Sequence, residues 1–186
     1  MTCNLISCCI QIKTYQRLLR DLYRPREFDR CDHNIAINHG KVDDLVQYAR
    51  NYPQKLRMIL DTLDTQFLSS CMKHEYGYVV LSLEVFRALL LAYHALHLPY
   101  LLEPHLNLVF KAVIESRNVL YLKSAVPLLK VCIDHGIFTH DLDFFLSLLE
   151  LVEDTSITQP IEDLTEDLAD GAQRLAVGKG GDPDFG

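Results

Sequence analysis

Three cysteines, Cys3, Cys8 and Cys9, crowd the first ten residues of a 186-residue chain that holds six in all, and basic residues follow them. Lys13, Arg17, Arg20 and Arg24 recur at i, i+4, i+7 and i+11, which is one face of a helix turning about 100° per residue. A cytosolic thiol beside apolar residues accepts reversible S-acylation, and a basic face is what an anionic leaflet attracts. One acyl chain binds only marginally; two chains, or one chain with a basic patch, hold a protein on a bilayer. The alternative is an inert leader with a solvated basic face, and the residues alone leave both readings open. Thr2 in place of Gly excludes N-myristoylation. The charge follows the apolar run 4–12 instead of preceding it, which is the wrong order for a secretory signal.

Other spacings invite metal or acid–base chemistry. Cys71 with His74, His94 with His97, and Cys31-Asp32-His33 have ligand-like separations, but none repeats as a paired motif. Cys71 and His94 fall on apolar helices, where such residues are ordinary. His140, Asp141 and Asp143 could be assembled into an acid–base set; they also stand at a helix start, where Asp is favourable against the dipole. Gly178-Lys179-Gly180-Gly181 lacks the preceding Gly and the following Ser or Thr of a phosphate loop. No nucleophile elbow is present. The expectation is no catalytic residue, no cofactor and no bound metal. The rival from another class is a small α-helical metal enzyme or hydrolase using His140, Asp141 and Asp143, or Cys71 and His74.

Hydrophobic residues make up 49% of the chain, enough for a globular core, and the net charge of −7 argues against a nucleic-acid partner. That charge is polarised. Residues 1–30 hold six basic against three acidic side chains, whereas residues 150–186 hold ten acidic against Arg174 and Lys179.

The elements that must position these groups all carry helical periodicity. From Lys13 the basic face opposes Tyr15, Leu18, Leu19 and Leu22, and Pro25 stops the helix. Residues 25–40 read as a loop. Helices are expected from Lys41 to Asn51, from Pro53 to about Lys73, from Tyr76 to Leu96, from His105 to Ser116, from Val119 to His135 and from Asp141 to Val152. Asn118 is the expected N-cap and Gly136 the expected stop, with a kink at Pro127. The segment from Tyr76 is apolar nearly all round. Its only charges, Glu84 and Arg87, are three apart and able to pair, and His94, His97 and Pro99 interrupt the run behind them. It reads as a buried core helix around which the others pack, not a membrane span. The chain therefore divides into a leader (1–12), a helical-repeat domain (13–152) and an acidic, largely disordered tail (153–186). The fold class is all-α, an armadillo- or HEAT-like stack of helical hairpins, paired as 41–73, 75–117 and 118–152.

Several stretches carry a resemblance: Cys8-Cys9, Tyr15-Gln16-Arg17-Leu18, Asn38 to Lys41, Pro53-Gln54-Lys55-Leu56-Arg57, and above all His74-Glu75-Tyr76-Gly77-Tyr78-Val79. Together with Glu84 and His94 they resemble the eighty-five-requiring-three (rolling blackout) scaffold proteins, over 8–152. The resemblance implies a peripheral protein on the cytoplasmic face of the plasma membrane, palmitoylated at an N-terminal cysteine cluster and holding anionic phospholipids with a basic patch. It implies recruitment of a phosphatidylinositol 4-kinase III alpha complex through its tetratricopeptide-repeat subunit, and no catalytic residues. The lipidation role would fall on Cys3, Cys8 and Cys9, and lipid contact on Lys13, Arg17, Arg20 and Arg24. Members of that family run to several hundred residues, and the region that contacts the kinase's partner lies beyond the resemblance. A soluble helical adaptor without an anchor is the first alternative.

Overall fold

The computed structural model describes residues 5–24 and 37–137, with residues 5–13 as backbone alone. The expected helix at 141–152, the set His140, Asp141 and Asp143, the Cys31–His33 corner and the acidic tail lie outside the described residues. Six α-helices follow in order: α1 (Leu5–Leu22), α2 (His39–Asn51), α3 (Leu56–Met72), α4 (Tyr76–His94), α5 (Glu103–Ser116) and α6 (Val119–Asp134). No strand occurs among the described residues. The fold is the expected all-α helical-repeat stack.

Local chemistry sets the boundaries. The Asn38 side chain accepts the Lys41 N–H at 3.2 Å and starts α2, and the Asn118 side chain accepts the Leu120 N–H at 2.9 Å and starts α6. Pro53 opens a 3₁₀ turn, Pro53–Lys55, that feeds α3. Pro127 sits inside α6 without ending it. α1 begins at Leu5, eight residues before the periodic stripe starts at Lys13. The stretch 5–12 has no amphipathic pattern, yet neither does it contain Pro or Gly to break a helix.

Three helices end in the same way. After α3, His74 takes a left-handed conformation (φ 56°), its N–H bonds Cys71 O at 3.2 Å, and the Glu75 N–H bonds Ser70 O at 2.9 Å. His97 (φ 57°) and Leu98 do the same with His94 O and Tyr93 O, and Gly136 (φ 62°) and Ile137 with Ile133 O and Cys132 O. These are Schellman closures, which satisfy carbonyls that the helix leaves unpaired.

The helices form two layers. α2, α4 and α6 pack side by side, α3 and α5 form the second layer, and the antiparallel hairpins are α1/α2, α3/α4 and α5/α6. The sequence pairing was offset from this by one helix, because α1 itself supplies the first member. α4 lies in the middle against α2, α3 and α6, burying Val79, Leu81, Leu83, Val85, Phe86, Leu89, Leu90 and Tyr93. By length and composition α4 could cross a bilayer, but here its apolar surface is spent on its neighbours. Glu84 and Arg87 pair as expected, through two bonds of 2.7 Å. Tyr93 donates to Ala49 O at 2.9 Å, filling one of the open carbonyls in the last turn of α2.

A non-glycine residue in the left-handed region costs about 1–2 kcal/mol, of which the greater unfolded-state freedom of Gly would take back about 0.4–1. His74 and His97 are both exposed, so His74→Gly and His97→Gly should each raise the unfolding free energy by about 0.5–1 kcal/mol in urea titrations. Gly136→Ala should lower it by a similar amount, since an added Cβ there meets nothing within 4 Å and only the backbone objects.

Candidate functional site

α1 is seated by one face. Tyr15, Leu19 and Leu22 are buried, with exposures of 3, 5 and 3%, and they pack toward α2. Arg17, Arg20 and Arg24 are exposed, and none forms an ion pair among the described residues. The basic stripe thus faces solvent because the opposite stripe is consumed by the core. Lys13, Cys8 and Cys9 lie on the backbone of α1, while Cys3 precedes it, outside the described residues.

The end of α1 is pinned more specifically. Ser82 on α4 donates its hydroxyl to Tyr78 O at 2.7 Å, so the 2.7 Å contact between Tyr23 and Ser82 has the tyrosine as donor. The Tyr23 ring also rests on Tyr78, with centroids 5.8 Å apart. Burial drives the Tyr23 phenol well above the ordinary tyrosine range, and the Ser82 bond opposes this only in part. The same relay recurs one layer step away. Ser124 on α6 donates to Leu120 O and receives the Tyr76 hydroxyl at 2.8 Å, and Tyr76 stacks on Tyr121 with centroids 6.1 Å apart.

Among the described residues, neither Cys71 with His74 nor His94 with His97 belongs to a group of three or more metal-ligating side chains. His74 and His97 are helix-closing residues whose backbones do the work. The His94 ring lies against His135 at 3.8 Å between centroids. Burial pushes the Cys71 thiol up to about 11 and raises that of Cys132 as well, which disfavours the thiolate that a metal needs.

A different cluster does form. Asp61 and Asp64 sit three apart on α3, and His105, in the first turn of α5, comes up to them across the second layer. His105 Nδ1 lies 2.6 Å from Asp64 Oδ2. One ligand atom from each of the three residues lies within 4.8 Å of the others. Asp64 Oδ1 is buried without a hydrogen-bond partner. Burial raises the Asp64 carboxyl, His105 counters that, and the Asp61 charge adds to it. The sequence signal was an i, i+3 carboxylate pair, which is common on helix surfaces; nothing local ties it to a histidine 41 residues on.

Two curated proteins, each named Protein EFR3 homolog B, one from Mus musculus and one from Homo sapiens, are 28% identical to this chain over 145 residues. Over that stretch the chain is similar to the EFR3 proteins. The matched stretch is 75% of this chain and 17% of each relative, so the chain spans about a sixth of their length. No protein-family profile matches it, and no solved structure does. The similarity is consistent with the resemblance noted above; the run His74 to Val79 holds the His74 closure, the Tyr76 donor and the Tyr78 carbonyl that accepts from Ser82.

The Tyr23–Ser82 relay predicts an asymmetry. Tyr23→Phe removes one hydrogen bond and leaves Ser82 bonded to Tyr78 O, costing about 1 kcal/mol; Ser82→Ala leaves a buried phenol without its acceptor and should cost about 1–3 kcal/mol. In the double variant most of the Ser82→Ala penalty should disappear. Chemical denaturation of the three variants measures it.

Proposed function

We propose that this chain is a non-catalytic scaffold held peripherally on the cytoplasmic face of the plasma membrane, with α1 as its membrane-facing element. The observation that carries the reading is the exposed row Arg17 and Arg20 on α1, continued by Arg24 just past its end, with no ion partner among the described residues, opposite a row locked into the core. Each basic side chain near an anionic leaflet contributes about 1 kcal/mol, too little alone but sufficient alongside an acyl chain. Acylation of the N-terminal cysteines would supply the chain. The helical stack would then present its surface to a partner, and kinship with the EFR3 proteins makes a phosphatidylinositol 4-kinase complex the partner to test first.

The helical backbone from Leu5 refines the anchor. Cys9 stands at i−4 from Lys13, in register with Arg17, Arg20 and Arg24 at i+8, i+11 and i+15. Cys8 stands in register with Tyr15, Leu19 and Leu22, the row that faces the core. Cys9 is therefore the acylation site that leaves the basic row against the lipid.

Two measurements test this. Arg17→Glu with Arg20→Glu should weaken binding to phosphatidylserine-containing vesicles by at least about thirtyfold, from about 1 kcal/mol for each lost charge, with helicity by circular dichroism unchanged; unaltered binding refutes the role of the basic row. In cells, a C-terminal fluorescent fusion should line the plasma membrane, and the triple change of Cys3, Cys8 and Cys9 to Ser should release it to the cytosol. Cys9→Ser alone should release more than Cys8→Ser, and a diffuse native fusion would leave a soluble adaptor.

A further inference from the structure

Asp64 poses a question that its hydrogen bond to His105 does not answer. A His–Asp strut between α3 and α5 accounts for Oδ2, but the other oxygen, Oδ1, is the one buried side-chain polar atom among the described residues without a partner. An orphaned buried acceptor in a native fold calls for an explanation, and an ion or water is the usual one. A second carboxylate, Asp61, stands beside it on the same helix face. Two carboxylates and one imidazole thus converge on one spot between α3 and α5. A dication satisfies both carboxylates at once.

We propose that Asp61, Asp64 and His105 form a binding site for a divalent transition cation of the zinc class, bridging α3 and α5. The donor set, one imidazole nitrogen and two carboxylate oxygens, selects the metal. Imidazole suits Zn²⁺, Co²⁺ and Ni²⁺, whereas Ca²⁺ and Mg²⁺ take oxygen ligands and more of them. Three protein ligands leave a fourth position for water. Bonds of about 2.0–2.2 Å would place the ligand atoms roughly 3.4 Å apart, so the 2.6 Å His105–Asp64 contact opens and the wider spacing closes. Asp61 is exposed and free to swing inward, whereas Asp64 and His105, at 14 and 15% exposure, are already held. The cation cross-links α3 to α5 within the second layer, where the two helices otherwise meet through apolar contact.

Co²⁺ titration of the purified, reduced 186-residue chain tests the proposal. The expected result is one equivalent bound, with weak visible d–d bands and no near-ultraviolet thiolate charge transfer. Asp61→Asn should weaken binding about tenfold or more, and because Asp61 lies on the surface this variant keeps the fold. Zn²⁺ should displace Co²⁺ and raise the melting temperature of the native chain but not of Asp61→Asn. His105→Gln should lose binding as well. A charge-transfer band would place the ion on cysteine and overturn the proposal, as would equal affinity in native and Asp61→Asn chains, which would mean an adventitious ion only. Absence of binding would overturn it too.

Discussion

Most of the circumference of α4 must be kept from water, and the rest of the molecule answers that constraint. Its buried residues take up all of the helix but a strip along Val80, Glu84, Arg87 and Leu91, so one partner cannot cover them, and a hairpin stack in which α2, α3 and α6 each take a sector is the economical solution. Polar groups packed about α4 are matched one by one. The Glu84 carboxylate is matched to Arg87, and the Tyr93 hydroxyl closes a carbonyl at the end of α2. Each unmet partner in such a setting would cost about 1–3 kcal/mol, a large share of a marginal stability.

The two tyrosine–serine relays show how a stack without a consensus repeat still keeps register. In each, a serine satisfies its own proton on the carbonyl four residues back, which leaves its oxygen free to accept from a tyrosine on another helix. The donor direction is fixed, and so is the rotation of each helix about its axis. Tyr23 holds the end of α1 to α4 in this way, and Tyr76 holds the start of α4 to α6. Apolar packing alone would permit small rotations that these bonds forbid.

Most of the helices were legible because their ends are written in capping chemistry. Asn118, Gly136 and Pro53 sit where residue type alone puts a cap, a stop and a start. The pairing of helices was less legible. Grouping by spacing put Lys41 first and left α1 as an appendage, whereas packing shows α1/α2 as a hairpin like the others. The start of α1 was missed because amphipathic period was the criterion, and residues 5–12 are helical without it. His74 and His97 drew attention as ligands, but their contribution is a left-handed backbone, which sequence patterns assign to glycine. Asp61, Asp64 and His105 escaped notice for the opposite reason, since each is unremarked locally and the cluster exists only through the contact of α3 with α5.

The seating of α1 also bears on what a membrane contact there could do. A helix tethered through a loose hinge would let the domain tumble beneath the bilayer, and its orientation would carry no information. Here the helix that bears the basic row is followed at once by Tyr23, whose hydroxyl and ring are both engaged by α4. The rotation of α1 is therefore tied to that of the core helix, and the core helix is tied to α6 through Tyr76. Charges on one face of α1 would then set the attitude of the whole stack, so that the surface offered to a partner is fixed relative to the lipid. Orientation of this kind lowers the entropy that a partner already confined to the same membrane must lose on binding, and it needs no new contact to do so.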